Sequence, residues 1–150
     1  MDLTEHKLSS QTVYRGVFLD VVADQVRLPD GATAQREYIR HPGAVMILPF
    51  LDRDTVLLVR QYRYPLSRHF EEVPAGKANE GEEPLKTAQR ELREECGYQA
   101  KEWRRVATLH PCIGYSNEAI ELFLARDLVH VGAALDAGEF LEVMPVGLAE

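Results

Sequence analysis

Apolar residues follow two patterns along this chain of 150 residues. Continuous apolar runs of strand length occupy 44–50 and 55–62, which is typical of strands buried on both faces. Shorter runs between residues 12 and 40, interrupted by the turn sequence Pro29-Asp30-Gly31, predict antiparallel strands. Weaker β-like runs predict further strands at 70–73, 103–109, 119–125 and 142–146.

Residues 84–97 have the period of a helix instead. Pro84 suits the first turn of a helix, and Gly97 is a typical C-terminal stop. The apolar residues recur three or four positions apart, at Leu85, Ala88, Leu92 and Cys96. We expect this stripe to face the core and to leave three acids on another side of the helix, namely Glu91, Glu94 and Glu95. Strands on both sides of one amphipathic helix predict an α/β or α+β domain with a mixed sheet.

Length and composition favour one globular domain, since 45% hydrophobic residues can form a sizeable core. Polar and small-residue loops are expected at 76–81 and 132–138, and no repeat or linker is evident. Within this single domain we distinguish an N-terminal strand region, 1–40, from a core region, 41–150.

Charge and cysteine content exclude several classes of protein. The net charge of −7 disfavours nucleic-acid binding, which depends on many Lys and Arg contacts. Cys96 and Cys112 have neither the spacing of a zinc site nor that of a disulfide framework. Because no signal sequence or long apolar segment is evident, we expect a cytoplasmic protein without a membrane partner. A phosphorylated substrate would then need metal ions and a few local arginines.

The stretch RELREECG, 90–97, places three acids on about one helical turn. Like charges three or four residues apart cost roughly 0.2 to 0.5 kcal/mol per pair unless a cation binds them. In register with Gly76 and Glu82, this stretch matches the full signature of the Nudix hydrolase family, which the chain therefore resembles. A charged helix face would explain the acids but not the glycines and Arg90 at these fixed offsets.

The resemblance implies a metal-dependent hydrolase of a nucleoside diphosphate linked to another group, with Mg²⁺ or Mn²⁺ as cofactor. Hard divalent cations prefer oxygen ligands. In this family the metal ligands correspond to Glu91 and Glu95, with Glu94 beside them and the backbone carbonyl of Ala75 as a further ligand. Glu82 and Arg90 correspond to the pair that fixes the loop against the helix, between the motif glycines Gly76 and Gly97. The implied fold is the Nudix fold, a mixed β-sheet sandwiched between helices, preceded by an N-terminal antiparallel strand region.

Outside the motif the chain resembles the ADP-ribose pyrophosphatase and nucleotide-sugar diphosphatase branch. The segments that carry this resemblance are HPGAVMILPF, LLVRQYRYP, EEVPAG, GYSNEAIELFLARDL and GEFLEV. They imply hydrolysis of ADP-ribose or a related nucleotide sugar to a nucleoside monophosphate and a sugar phosphate. GDP-mannose or another NDP-sugar is the alternative substrate, because Ile113 occupies a position where ADP-ribose enzymes usually have proline. A nucleotide-sugar sensor without hydrolytic activity is a third hypothesis.

The same resemblance suggests roles for residues outside the motif. Arg63 corresponds to an arginine that binds the diphosphate, as a guanidinium fork suits phosphate oxygens. Glu72 corresponds to a carboxylate near the metal, although a salt bridge is an equal alternative. Glu118 corresponds to a contact to the ribose or terminal sugar, or else begins an exposed strand. Glu139 corresponds to a mobile-loop general base or metal ligand, with Glu142 as its rival.

The N-terminal strands in this branch often exchange between two subunits, which implies a homodimer. Aromatic and basic residues of these strands hold the base, and the candidates here are Tyr14, Phe18, Arg36, Tyr38 and Arg40. Alternation in a half-buried strand explains the same residues equally well. The chain ends at VGLAE, where members of this branch usually add a C-terminal helix.

Overall fold

The computed structural model describes residues 2–149, which form one α-helix, one short 3₁₀ helix at Tyr64–Leu66 and ten strands. The elements are β1 (His6–Arg15), β2 (Asp20–Arg27), β3 (Thr33–Ile39), β4 (Ala44–Pro49), β5 (Thr55–Arg63), β6 (Arg68–Glu72), β7 (Ala75–Lys77), α1 (Pro84–Cys96), β8 (Tyr98–Leu109), β9 (Ile120–His130) and β10 (Leu141–Gly147). Within the described residues, no helix combines the length and the apolar character needed to cross a membrane.

The chain forms two compact units. The first unit contains the chain up to Pro42 together with His110–Ala119, and the second contains Gly43–Leu109 and the chain from Ile120 onward. The segment 110–119 thus groups with the N-terminal strands, which the strand pattern did not predict.

The first unit is built on an antiparallel sheet with the order β1-β2-β3. Its second turn closes where the amide of Leu28 donates to the carbonyl of Ala32 at 2.8 Å, with Gly31 at a φ of +90°. At the end of β3, the amide of Ile39 donates to the carbonyl of Tyr115 at 2.8 Å, and Ile39 pairs with Ser116 in a parallel bridge. These contacts attach segment 110–119 to the N-terminal sheet.

The second unit contains two sheets and the helix. One sheet is mixed, with the order β7-β4-β9-β8 and a parallel β4–β9 pair, and the other is antiparallel, with the order β10-β5-β6. Helix α1 packs against both sheets. Their shared core consists of Val45, Ile47, Leu57, Val59, Ala88, Leu92, Cys96, Phe123 and Ala125. The predicted α+β class with a mixed sheet is confirmed, whereas residues 2–149 contain a single α-helix rather than helices on both sides of a sheet.

The predicted ends of α1 are confirmed. Pro84 lies in the first turn, and Gly97 caps the helix at a φ of +74° while its amide donates to the carbonyl of Arg93. The predicted faces were partly wrong, because Leu85 is exposed and Glu95 is only 6% exposed. The buried face follows the positions i, i+4, i+7 and i+8 and so includes Ala88, Leu92, Glu95 and Cys96.

Two strand boundaries also differ from the prediction. β8 begins at Tyr98, directly after the helix cap, and β9 continues to His130. The expected polar loop at 76–81 begins inside β7, a three-residue strand paired with β4. Adjacent exposed charges interrupt the apolar pattern of both strands, Lys101-Glu102 near the start of β8 and Arg126-Asp127 in the second half of β9.

Candidate active site

Four carboxylates of the second unit lie within electrostatic range of one another. Glu91, Glu94 and Glu95 project from α1, and Glu139 lies in the loop between β9 and β10. The charge of Glu139 helps to raise the pKa values of both Glu91 and Glu95, although burial is the larger cause in each case. We call these four residues the acid cluster.

Glu95 is the most buried member of the acid cluster. Its Oε2 accepts a hydrogen bond from the backbone amide of Ala75 at 3.2 Å. Burial, followed by the charge of Glu91, raises the pKa of Glu95 to about 8. Ala75 reaches the helix because β7 pairs with β4, where Ala75 lies opposite Met46. The sheet therefore fixes the backbone at one side of the carboxylate.

Glu91 occupies space that only a glycine at position 76 leaves free. A Cβ atom on Gly76 would lie 1.9 Å from the Glu91 Cδ and 2.0 Å from its Oε1. Burial raises the pKa of Glu91, and the positive charge of Arg90 opposes this effect. The first glycine of the motif thus creates a cradle for the first helix carboxylate.

Arg90 joins the loop after β7 to the helix. Its Nε and Nη2 donate to the two carboxylate oxygens of Glu82 at 3.0 and 2.9 Å, the pair expected from the sequence. Its Nη1 donates to Glu91 at 2.8 Å and to Glu94 at 2.9 Å. The contact with Arg90 is the main reason that the pKa of Glu82 falls to about 2. The guanidinium therefore holds three carboxylates in fixed positions.

Arg63 and Glu72 form a second fork on neighbouring strands. The Nε and Nη2 of Arg63 donate to Oε1 and Oε2 of Glu72 at 2.8 and 2.6 Å. Arg63 also acts on the acid cluster, since its charge opposes the rise in the pKa of Glu95 that burial causes. Arg63 therefore pairs directly with Glu72 and lies within electrostatic range of Glu95.

Glu139 and Glu142 have different surroundings. The amide of Glu139 donates to the carbonyl of Asp136 at 3.1 Å, and its carboxylate accepts from the amide of Asp136 at 3.3 Å. Glu142 instead lies on β10 opposite Arg60, with 3.9 Å between their charged atoms. Of these two acids, Glu139 is the one whose charge acts on the helix carboxylates.

Among residues 2–149, no three acidic, histidine or cysteine side chains already enclose a space for a metal ion. The hydrogen bonds explain this arrangement, because Arg90 binds Glu91 and Glu94 while Ala75 binds Glu95. The donor set nevertheless fits a hard divalent cation, since its oxygens are carboxylates that repel one another in a partly buried place. The cradle at Gly76 provides room for one of these carboxylates.

The remaining predicted binding residues belong to the first unit. Arg36 and Tyr38 line a cavity of about 260 Å³ together with Glu37 and residues 113–117. Arg36 forms a two-pronged ion pair with Glu5 at 2.9 and 2.6 Å, and the Tyr38 hydroxyl donates to Asp24 at 3.4 Å. Glu118 directly follows the lining segment, and its carboxylate lies 3.7 Å from the Nε2 of His41.

The other base-binding candidates are on the surface of the first unit. Tyr14 is exposed, as is Phe18. The Nε of Arg40 lies 3.3 Å from the carboxylate of Asp20, and its Nη2 donates to the hydroxyl of Thr12 at 3.4 Å. The cavity therefore brings together Arg36 and Tyr38, while the three other candidates do not line it.

Comparison with protein families decides the assignment. The model of the Nudix domain matches residues 40–149. The chain belongs to the Nudix family. A second model, the nucleoside diphosphate sugar hydrolase N-terminal domain, matches residues 5–39. The acid cluster, Arg90 and Gly76 all fall within the Nudix match.

Individual relatives of this Nudix protein cover nearly the whole chain. An ADP-ribose pyrophosphatase of Bacillus subtilis (strain 168) is 39% identical over 150 residues, which is 99% of this chain and 81% of the relative. A methanol dehydrogenase activator of Bacillus methanolicus is 35% identical over 148 residues, covering 97% of this chain and 80% of the relative. A solved structure, described as the crystal structure of an ADP compounds hydrolase, matches with a TM-score of 0.87 at 26% identity and covers 99% of this chain and 82% of that chain.

Sequence reasoning missed two features, one in the Nudix motif and one in the N-terminal sheet. The bridge from Arg90 to Glu94 spans four residues, so helical spacing alone could have revealed it. The burial of Asp24 in β2 had no clear signal, because its neighbours in the strand alternate as in any half-exposed sheet. Asp24 is 5% exposed, and its Oδ1 has no hydrogen-bond partner among the described residues.

Proposed function

We propose that this Nudix protein hydrolyses the diphosphate linkage of ADP-ribose or a related nucleoside diphosphate sugar. The products would be a nucleoside monophosphate and a sugar phosphate, formed when water attacks one phosphorus atom and the bridging P–O bond breaks. The observation that carries this proposal is the buried Glu95 carboxylate, held by the Ala75 amide among three further acids and beside Arg63. The name of the Bacillus subtilis relative, ADP-ribose pyrophosphatase, supports the choice of substrate.

We assign the cofactor site to the acid cluster and to the backbone carbonyl of Ala75. Mg²⁺ is the cation that we propose, with Mn²⁺ as a second candidate, because both accept carboxylate oxygens. When bound, a divalent cation would offset diphosphate charge and lower the pKa of a water ligand. Arg90 donates to both Glu91 and Glu94, so a cation bound by these carboxylates would compete with the two hydrogen bonds.

Protein groups would perform the remaining steps. Arg63 is suited to bind the diphosphate, since its guanidinium presents several N–H donors in one plane. Glu139 is our candidate for the general base that takes the proton of the attacking water, because its charge acts on both Glu91 and Glu95. In this proposal Glu91 and Glu95 bind the cation, Arg63 orients the diphosphate, and Glu139 accepts the proton of the attacking water.

The first unit supplies our candidates for substrate recognition. Arg36 and Tyr38 would contact the base, because both line the cavity of this unit. Glu118 would accept hydrogen bonds from sugar hydroxyls. A different NDP-sugar, such as GDP-mannose, is the second candidate substrate, because the cavity presents the exposed Ile113 at the position where ADP-ribose enzymes usually have proline.

We also propose that the protein acts as a cytoplasmic homodimer. The first unit exposes apolar side chains along β1 and the following turn, including Leu8, Val13, Tyr14 and Val17. Exposed apolar patches of this kind commonly mark protein interfaces. A second copy of the chain is the partner that we propose for this patch.

A substrate panel tests the reaction. Product release would be measured with ADP-ribose, GDP-mannose, UDP-glucose and a dinucleoside polyphosphate, each with Mg²⁺ and with EDTA. We expect Mg²⁺-dependent cleavage of ADP-ribose or of another nucleotide sugar in the panel. Tight binding without turnover would favour a nucleotide-sugar sensor, and preferred cleavage of the dinucleoside compound would contradict the proposed substrate class.

Glu95→Gln tests the role of the acid cluster. The amide keeps the size of the side chain but removes the charge, so we expect turnover to fall at least about 10³-fold while the fold remains intact. Glu71→Gln is the control, because Glu71 is exposed on β6. Undiminished activity of the Glu95 variant at saturating Mg²⁺ would refute the assignment.

A further inference from the structure

The ion pair between Arg63 and Glu72 has an unusual path. Glu72 lies opposite Val59 in the β5–β6 register, and Arg63 follows Val59 by four residues. Four residues of a strand span roughly 13 Å, and residues an even number apart share one face. Arg63 therefore folds back along its own strand to reach Glu72 on the face that carries the buried Val59.

This return path directs the guanidinium toward the acid cluster. Glu72 lies three residues before Ala75, whose amide binds Glu95. An arginine at the end of a strand would ordinarily extend into water, since a long side chain loses considerable rotamer freedom when it is fixed. Glu72 offsets this entropic cost with two charged hydrogen bonds.

The pairing leaves part of the guanidinium available. An arginine side chain has five N–H donors, and Glu72 accepts from Nε and Nη2 only. The Nη1 edge remains, and the Arg63 side chain is still 45% exposed, so an anion can approach it. Arg63 can therefore bind phosphate oxygens while it remains paired with Glu72.

We infer that Glu72 is a positioning residue for Arg63, which it holds with the Nη1 edge presented to the substrate diphosphate. This inference rests on the proposed function and deepens it. Glu72 acts through Arg63 and does not contact the reacting atoms. Removal of Glu72 would let Arg63 swing away from the acid cluster, and the diphosphate would lose its fixed partner.

A double-mutant cycle tests this dependence. The variants Glu72→Ala, Arg63→Ala and the double variant would be compared for kcat/KM on ADP-ribose with Mg²⁺ and for Kd of its non-hydrolysable α,β-methylene analogue. We expect each single variant to lose about tenfold or more in kcat/KM, and the double variant to resemble Arg63→Ala within about threefold. Losses that multiply in the double variant would show that Glu72 acts without Arg63 and would overturn the inference.

A matched ion pair controls for a general structural effect. Arg105 and Glu121 form the same two-pronged contact between β8 and β9, where they contact Thr108. We expect Glu121→Ala to leave kcat/KM and Kd unchanged. Glu72→Gln covers the case in which Glu72→Ala fails to fold, because it preserves the shape of the side chain and removes its charge. Wild-type kinetics in both Glu72 variants would overturn the inference.

Chemical rescue gives a readout that a purely structural role would not affect. Guanidinium ion at millimolar concentration, well below denaturing levels, would be added to Arg63→Ala and to the double variant. We expect partial recovery of activity in the single variant only, since Glu72 would seat the free ion. Equal recovery in both variants would overturn the inference.

The outcome for the proposed function is separate. If the wild-type protein cleaves ADP-ribose but the cycle is additive, the inference fails and the proposed function stands. If the wild-type protein binds the methylene analogue without cleaving any nucleotide sugar of the panel, the hydrolytic function fails, and the cycle measured on Kd still decides the role of Glu72. Absence of binding and cleavage with every nucleotide sugar of the panel would overturn both.

Discussion

At the residue scale, Glu95 combines burial with repulsion from a second carboxylate. Its pKa of about 8 in the folded protein lies well above the ordinary value of 4.5. Between these two values the folded state retains a proton that the unfolded state has released. The free energy of unfolding should therefore fall as the pH rises through this range and level off above about pH 8. The raised pKa of Glu91 acts in the same direction.

We predict this pH dependence for the metal-free protein. Urea unfolding in EDTA at intervals from pH 5 to pH 8 should show a loss of stability on the order of a few kcal/mol, because a tenfold change in a proton-binding constant corresponds to about 1.4 kcal/mol. Glu95→Gln should show a smaller slope. Mg²⁺ should restore more stability at pH 8 than at pH 6, since protons and the cation would compete for the same carboxylate. An equal slope in the variant would contradict the assigned pKa.

Two motif glycines are needed for different reasons. At Gly76 an added Cβ would meet the far end of the Glu91 side chain, which can move, whereas at Gly97 it would lie 2.6 Å from the backbone amide nitrogen of Ala133. Gly97 also has a φ of +74°, which side chains rarely adopt.

We predict that Gly76→Ala loses function and that Gly97→Ala loses stability. Displacement of Glu91 should lower Mg²⁺ affinity and activity about tenfold or more, with a change in unfolding free energy within about 1 kcal/mol. Gly97→Ala should destabilise the fold by about 2 kcal/mol or more. Calorimetric Mg²⁺ binding and urea unfolding would separate the two effects, and an unstable Gly76 variant would contradict this division.

At the element scale, α1 connects the core to the acid cluster. Ala88, Leu92 and Cys96 anchor one side of the helix in the core, and Glu95 lies on the same face. The rigid packing of these apolar residues determines where the carboxylates point. Loss of packing should therefore affect stability first and the site second.

Leu92→Ala tests which face of α1 is anchored. Leu92 is fully buried, so we expect a cost of about 2 to 5 kcal/mol in the free energy of unfolding. Leu85→Ala on the same helix is the control and should cost less than about 1 kcal/mol, because Leu85 is 38% exposed. Similar costs for both variants would indicate that Leu85 also packs in the core, as the sequence pattern predicted.

The limits of sequence reasoning are clearest in this element. Pro84 and Gly97 predict the helix ends correctly, because capping depends on local backbone geometry. The burial of Glu95 could not be predicted, because an acidic residue in a helix pattern is assigned to the exposed face. The amide that hydrogen-bonds to the buried carboxylate belongs to Ala75, twenty residues earlier. β7 escaped notice for the same reason, because three residues carry no period and pairing with β4 alone makes them a strand.

At the scale of the whole molecule, features that depend on local sequence pattern were predicted, whereas contacts between distant segments were not. The α+β class follows from apolar periods and was predicted, and the Nudix motif predicted the residues that the structure gathers around Arg90. The pairing of Arg63 with Glu72 depends on strand register, which the sequence does not display. The cavity beside Arg36 and Tyr38 likewise depends on the return of residues 113–117 to the N-terminal strands.

The proposed dimer gives a prediction for the intact protein. Light scattering should report twice the chain mass of 17.0 kDa. Val17→Asp should shift this mass toward one chain, because Val17 is fully exposed in the apolar patch and a buried charge at an interface is costly. Arg53→Asp is the control, since Arg53 is an exposed residue of the second unit. A mass of one chain at all concentrations would refute the dimer.

The attachment of Tyr115 and Ser116 to Ile39 also bears on synthesis at the ribosome. The hairpins of β1, β2 and β3 emerge early and can form by themselves, since their pairing is local. Their last partners, however, are made 76 and 77 residues after Ile39, as in the hydrogen bonds from the Ile39 amide to Tyr115 and from the Ser116 hydroxyl to Ile39. During translation, the N-terminal strands therefore lack these partners at the end of β3 until most of the second unit has been synthesised. Unpaired backbone groups at a sheet edge are prone to pair with other chains.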